Sequence, residues 1–318
     1  MATDVFLTID TELSWRQHRA GHDLPAIVAR SLEPAGVGIA HQLRCLNDHG
    51  LKACFFIDPM PAIPFGLDPI RRVVDAVLTA GQEVQLHLHP GWTRAVPGDG
   101  GASHAPFNLI DYAETEQAQL LGGAIDLIMA AGAPRPVAFR AGSYAANDAT
   151  LRALASHGIR YDSSHNGAAA PAPSAIDLPP TRISPIEHQG VIEVPVTVIE
   201  DAPGHLRHFQ ICALSAGEMR AAIGHALHAG HQAITIVGHS FELANRAGTR
   251  ANGVHVRRFD ALLTMLADLR EMLPTRHFAE LPEWRLDAED RPLGPDPLRT
   301  AWRQAEQLWS NWVEERAA

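Results

Sequence analysis

Asp10 and Glu12 stand two residues apart at the end of an apolar run, and His87 and His89 repeat that spacing at the end of another. Carboxylates and imidazoles are ligands of divalent ions such as zinc, and a set that leaves one position open lets the ion activate water. The spacing matters as much as the residue types. Along a β-strand successive side chains alternate between faces, so residues two apart point the same way. The run VFLTI at 5–9 has strand composition and feeds directly into Asp10, and EVQL at 83–86 does the same for His87. Each pair is aimed in one direction from the end of its own strand, and together they predict a divalent-metal site.

Such pairs need a scaffold that delivers several strand ends to one place. Strands are predicted at 4–10, 52–58, 83–89, 137–141, 159–162, 191–198 and 233–237, with a last apolar run at 277–281. Helices are predicted between them at 38–49, 68–80, 110–131, 147–157, 215–229 and 256–272. Gly50, Gly81 and Gly132 supply helix stops, Asp68-Pro69 a helix start, and Ser215 with Glu218 a capping box. Pro195 predicts an edge or a bulge in the sixth strand. The segments 13–35, 90–106 and 167–185 read as loops.

Alternation of strand and helix means an α/β fold with a parallel sheet. The first strand runs into Thr11-Glu12-Leu13-Ser14 rather than a glycine-rich phosphate turn, which favours a barrel over an open doubly wound sheet. The barrel is expected over 1–285 and a helical extension over 286–318, its Trp-bearing helix 297–318 packing on the barrel or on a partner subunit.

The 318 residues, 46% hydrophobic and 19% charged, suffice for a sizeable core. A formal net charge of -10 argues against a nucleic-acid or anionic-membrane partner. No apolar stretch is long enough to span a bilayer and no leader pattern opens the sequence, so a cytoplasmic protein is expected, with a homo-oligomer left open. Cys45, Cys54 and Cys212 form no CxxC pair and read as small hydrophobes of a reducing compartment.

Further strand ends carry Phe139-Arg140-Ala141-Gly142-Ser143-Tyr144, Tyr161-Asp162-Ser163-Ser164 and Val237-Gly238-His239-Ser240. In this order the five short motifs resemble those of the polysaccharide deacetylases, the NodB-homology or carbohydrate esterase 4 group, across residues 4–281. The resemblance implies a distorted (β/α) barrel of about seven parallel strands. It also implies metal-dependent hydrolysis of a non-peptide C–N bond, most simply deacetylation of an N-acetylated sugar or a related amide. The cofactor would be a divalent metal, zinc first, with cobalt, nickel or manganese as alternatives, and the partner a carbohydrate or other small molecule.

Carried over residue by residue, Asp10 is the base and Glu12 a metal ligand, in the Asp-x-Glu form of the first motif. Because both face the same way, their roles can be exchanged. Relatives space their two ligand histidines four apart; here those positions hold Gly91 and Thr93, so His87 and His89 are the candidate pair, with His104 a lesser candidate. Arg140 matches the arginine that orients the catalytic carboxylate and keeps it ionised. His239 matches the general acid, whose near-neutral pKa a carboxylate neighbour raises. Asp162 is the candidate neighbour, and Glu242 competes for that role. Backbone N–H groups at Ser143 or Tyr144 would bind the oxyanion, and Trp15, Trp92 and Tyr144 would stack on a sugar face. The loops 13–35 and 90–106 are the expected specificity elements.

Two other readings stay open. An amidohydrolase-type barrel also uses an HxH pair, but at the end of its first strand and with a later bridging lysine; here HxH ends the third strand and the single lysine, Lys52, begins the second. A non-catalytic metal- or ligand-binding barrel would need no acid and base, yet Asp10, Arg140 and His239 are all present.

Overall fold

The structure, a computed structural model, describes residues 3–280 and 283–315. Its frame is β1 (Asp4–Thr11), β2 (Cys54–Ile57), β3 (Glu83–Leu88), β4 (Ala138–Ala141), β5 (Tyr161–Asp162), β6 (Ile186–His188), β7 (Val191–Glu193), β8 (Val198–Ala202), β9 (His205–His208) and β10 (Ala233–His239). Eight of these form one curled sheet in the order β10-β1-β2-β3-β4-β5-β7-β6, and β8 pairs with β9 in a separate hairpin. Seven strands of the large sheet run parallel and β6 returns antiparallel to β7, so the expected barrel of about seven parallel strands is present as an incompletely closed curl.

Alternation along the strands separates two apolar layers. Val5, Leu7, Ile9, Phe55, Val84, Leu86 and Phe139 face the surrounding helices in one large cluster. The opposite faces meet inside the curl, where Phe6, Cys54, Phe56, Ala138, Tyr161 and Phe278 plug the end at which the strands begin. Phe278 stacks on Phe6 with ring centroids 4.4 Å apart. Further along the same inward-facing rows stand Thr8 and Asp10, His87, Arg140 and His239. The interior is therefore apolar at one end and ionisable at the other, where the strands finish.

The predicted strand 191–198 is broken in two. Pro195 has no N–H for a ladder, and the chain between β7 and β8 crosses to the other edge of the sheet, where the Thr197 N–H bonds the Thr235 carbonyl at 3.2 Å. Residues 209–211 extend that edge: the Val237 N–H reaches the Phe209 carbonyl at 2.9 Å and the Ile211 N–H the Val237 carbonyl at 3.2 Å. These segments partly close the curl.

Several local expectations need correction. The segment 13–35 holds two helices, Trp15–Arg19 and Leu24–Ser31, the second capped by Asp23, which accepts from the Ala26 N–H at 3.0 Å. Asp68 is the first helical residue rather than the cap of its helix and pairs with Arg71 at 3.1 Å. The helix predicted from 110 begins at Glu114, after a 3-10 turn over Leu109–Asp111. The final apolar run is a 3-10 turn, Phe278–Glu280, and Leu281 lies outside the described residues.

The C-terminal helix, Pro297–Trp309, packs on its own barrel; residues 316–318 of the predicted helix lie outside the described residues. Its buried Arg303 bridges Glu218 Oε1 at 2.9 Å and Asp201 Oδ2 at 2.7 Å. Among the described residues no helix is long and apolar enough to cross a membrane.

Candidate active site

Strand register places the first ionisable pair. β1 lies between β10 and β2, with Asp10 directly opposite His239 on one side and Phe56 on the other. Arg140 comes from β4, three strands from β1, and reaches Asp10 across the inside of the curl, its guanidinium 4.6 Å from the Phe56 ring centroid. Arg140 Nη1 donates to Asp10 Oδ1 at 2.7 Å and to Thr8 Oγ1 at 2.8 Å, while Nε and Nη2 hold the Ser163 carbonyl and hydroxyl, each at 3.0 Å. Every hydrogen-bond acceptor of this buried cation is an oxygen, and one of them belongs to a carboxylate. A charge taken out of water needs such a set of partners.

On the other side of Asp10, His239 Nε2 stands 4.0 Å from Asp10 Oδ2 and Nδ1 3.5 Å from Glu242 Oε2. Gln210 Nε2 lies 3.2 Å from the same Nδ1. Glu242 is itself fixed by the His239 and Cys212 backbone N–H groups, at 2.8 and 2.6 Å. Burial works against an imidazolium, yet the hydrogen bond to Glu242 and the charges of Asp10 and Glu242 outweigh it and lift the His239 pKa to about 9. Burial likewise pushes against the Glu242 carboxylate, and the His239 contact draws it down to about 2.

Asp162 does not take the expected place beside His239. Its register partners are Phe139 and Glu193, on the far side of β4 from β1 and β10. Its carboxylate accepts from the Ser164 hydroxyl at 2.7 Å and the Ser164 N–H at 3.0 Å. Burial and the Asp162 charge push Glu193 well above the carboxylate range, so this buried pair holds a proton rather than two charges. Glu242 occupies the position expected of Asp162.

Glu12, His87 and His89 form a second group, with one ligand atom from each lying within 4.8 Å of the others. Glu12 Oε2 contacts His89 Nε2 directly and lies 3.5 Å from His87 Nε2. His87 Nδ1 donates to the Arg140 carbonyl at 2.7 Å, which turns Nε2 toward Glu12. The His89 ring rests on Gly142, where a Cβ would fall 2.3 Å from the ring Nδ1 and Cε1. Burial opposes charge on Glu12, but the neighbouring His89 and His87 hold its carboxyl well below the usual range. His104 Nδ1 instead contacts the Ala105 carbonyl at 3.0 Å, and Thr93 Oγ1 the Pro90 carbonyl at 2.8 Å. Neither is in the ligand group.

The chain superposes on a protein assigned as a polysaccharide deacetylase from Mycobacterium smegmatis with a TM-score of 0.55, at 18% identity over 92% of this chain and 94% of that one. The fold is that of the NodB-type polysaccharide deacetylases. A family 4 carbohydrate esterase from Streptomyces lividans aligns with a TM-score of 0.45 and 15% identity, over 92% of this chain and 98% of that one. A 4-alpha-glucanotransferase from Thermococcus litoralis reaches 0.51 at 9% identity, over 88% of this chain and 40% of that one. No protein-family model and no curated protein sequence matches the chain. Since similar barrels carry more than one kind of chemistry, activity has to be argued from the side chains.

Two lobes open from the end of this NodB-type barrel and share Glu12 and Trp15. The first, about 770 Å³, lies on the His89 side and is lined by Trp15, Trp92, His104, Phe107, Arg19 and Ser143. Trp92 is 1% exposed and packs edge-on against Trp15, with centroids 4.7 Å apart, so it supports the wall instead of offering a free face. Ser143 and Tyr144 follow β4 in consecutive left-handed conformations, φ 56° and 58°, which non-glycine residues adopt uncommonly. Burial holds the Tyr144 phenol protonated, and its hydroxyl has no partner among the described residues.

Sequence reasoning passed over Gln210 and Asp58. Gln210 lies in an irregular segment with no motif to announce it. Asp58 sits just beyond β2, buried, with Oδ1 accepting from the Met60 N–H at 3.0 Å and Oδ2 without a partner among the described residues. Burial raises it to about 6 although the charges of His89 and His87 pull it down. The signal was available, for Asp58 ends its strand as Asp10 and His89 end theirs.

Proposed function

We propose that this chain is a metal-dependent amide hydrolase that removes an acyl group, acetyl in the simplest case, from an N-acylated sugar or related amide. The observation that carries the reading is the convergence, at one end of the barrel, of a carboxylate held by an arginine, a carboxylate with two imidazoles, and a histidine held by a second carboxylate.

Glu12, His87 and His89 fit a divalent ion. They offer one oxygen and two nitrogens, the His87 nitrogen is oriented from behind, and Asp58 adds negative charge nearby. Such a mixed set suits zinc, and also cobalt, nickel or manganese. When bound, the ion supplies a Lewis acid that makes an attacking water acidic enough to react near neutral pH.

The remaining chemistry belongs to the chain. Arg140 fixes the Asp10 carboxylate, so that Asp10 accepts a proton as water adds to the acyl carbon. A backbone N–H of the Ser143–Tyr144 turn, whose Ser143 lines the lobe, would bind the developing oxyanion. His239, protonated at neutral pH, gives its proton to the nitrogen as the C–N bond breaks, and a carboxylate and a free amine leave.

The test is metal analysis of wild type beside His87→Ala and His89→Ala, with carboxylate release measured over N-acetyl sugars and simple amides. One ion per chain in wild type, lost in both variants, and release abolished by Asp10→Asn and His239→Ala are expected. A wild type that cannot take up zinc, cobalt or nickel would sink the reading. So would full turnover in either acid–base variant.

A further inference from the structure

The second lobe of the cleft, about 480 Å³, opens on the His239 side and is lined by Arg16, Arg30 and Arg246. That is unexpected in a chain of formal net charge -10. Two carboxylates that also reach the lobe, Glu12 and Glu242, are engaged by His89 and His239. The third, Glu315, accepts from the Arg246 backbone N–H at 2.9 Å. Three arginines thus line the lobe beside one carboxylate, Glu315, that no cationic side chain pairs with among the described residues.

This wall is built, not incidental. Arg30 is half-buried, with Nη1 3.0 Å from His22 Nε2 and 3.4 Å from the Ala247 carbonyl. Gln17, 4% exposed, donates to the Arg246 and Ala247 carbonyls at 3.4 and 3.5 Å, so the loop carrying Arg246 is held from two sides. Gly248, at φ 70°, lets that loop lie against Arg30, where a Cβ would fall 2.8 Å from the Arg30 Cβ and carbonyl oxygen. His255 gives the independent sign of a ligand. It lines the lobe, is 8% exposed, bonds the Glu242 carbonyl through Nδ1 at 2.8 Å, and has a buried Nε2 with no partner among the described residues. A polar atom withdrawn from water and left unbonded is a place for a ligand group.

We propose that this lobe binds a phosphate group carried by the amine portion of the substrate. The proposal rests on the amide-hydrolase reading for its direction: His239 protonates the departing nitrogen, so the amine portion lies on the His239 side. Phosphate follows from the donors. A carboxylate is satisfied by one bidentate arginine, whereas a phosphate presents three oxygens at up to two negative charges and suits several guanidinium forks. His255, its proton engaged at Nδ1, accepts from an adjoining hydroxyl. The aromatic lobe on the other side then receives the acyl group.

Calorimetric titration of chelator-treated, metal-free protein with pyrophosphate, inorganic phosphate and succinate tests the lobe without turnover. One pyrophosphate per chain is expected, with succinate at least tenfold weaker, and Arg16→Ala/Arg246→Ala weakening pyrophosphate at least tenfold while the circular-dichroism spectrum is kept. Absence of pyrophosphate binding, binding untouched by the double variant, or equal affinity for succinate overturns the proposal. In parallel, acetate release from metal-loaded enzyme is compared on N-acetylglucosamine and its 1- and 6-phosphates. A kcat/KM at least tenfold higher for a phosphorylated sugar, with that ratio collapsing in the double variant, is expected. Pyrophosphate binding without acetate release from any of them supports the lobe and counts against the hydrolase reading. Release at equal kcat/KM from all three supports the hydrolase and overturns the lobe.

Discussion

His87 Nδ1 donates to the carbonyl oxygen of Arg140 at 2.7 Å, while the Arg140 side chain holds Asp10 at the same distance. A carbonyl only accepts, so the His87 proton sits on Nδ1 and Nε2 is left to coordinate. The two residues are register partners in β3 and β4, which makes this arrangement a property of the sheet. One residue therefore sets a ligand imidazole with its backbone and the base with its side chain, and substitution separates the two functions.

Arg140→Lys keeps a positive charge but cannot span Thr8, Asp10 and the two Ser163 oxygens that the planar fork reaches. The carbonyl is unchanged, so His87 stays oriented. A fall in kcat on the order of 100-fold is expected from misplacing Asp10, with metal content near wild type. Loss of metal in step with loss of rate would show that the side chain, not the carbonyl, holds the ligand site.

Gly142→Ala tests the ligand group from the other side. Its Cβ would meet the His89 ring at 2.3 Å, and the ring has to leave its position. Metal affinity is expected to fall about 10- to 100-fold, the usual cost of disturbing what supports a ligand. Equilibrium titration with zinc checks it, and an unchanged dissociation constant would remove His89 from the coordination set.

Periodicity made most of the sheet legible: β1 to β5 and β10 fall where apolar runs end in polar residues, because both faces of a parallel strand are buried. It failed at 191–198, where an alternating run is cut by Pro195, and at 13–35, where the Asp23-Leu24-Pro25 start signal lay inside a polar stretch. The site divides in the same way. Asp10, Glu12, His87 and His89 could be named as candidates from the two-residue spacing at strand ends, and Arg140 and His239 from the motif resemblance; the structure places all six at one end of the barrel. Which carboxylate stands beside His239 was not, since that depends on sheet order: Asp162 is turned toward Glu193, and Glu242 follows His239 within one turn of chain. The arginine lobe was also invisible, because residues 16, 30 and 246 come together only through the folded loops.

Arg303→Met leaves Glu218 and Asp201 without their shared cation. Asp201 keeps Arg207 and His205, so the loss falls mainly on buried Glu218, with a destabilisation of about 3 kcal/mol. The denaturant midpoint reads it, and Glu218→Gln in the same chain should recover part of the loss. Because Gln307 and Asn311 of this C-terminal segment line the arginine lobe, pyrophosphate affinity should fall as well. Unchanged stability would mean that the helix is not held by this bridge.

Glu242→Gln addresses the acid directly through pH. In the folded chain His239 is lifted from an ordinary value of 6.5 to about 9 against the effect of burial, and Glu242 is drawn from 4.5 to about 2. The raised histidine contributes stability that is full below 6.5 and lost as pH rises through about 9. The depressed carboxylate contributes stability that is present above 4.5 and lost as pH falls through about 2. Both groups are charged between those limits, so a reaction that needs the imidazolium should weaken as pH rises through about 9. Glu242→Gln removes the charge and the acceptor that oppose burial, and the basic limb of the pH–rate profile is expected to move down by at least about one pH unit. At pH 8 the variant should lose rate through the fraction protonated, while at pH 6 it should recover toward wild type. A basic limb that stays near its wild-type position in Glu242→Gln would show that His239 is not the proton donor or that Glu242 does not tune it, and His239→Gln in the same assay separates the two.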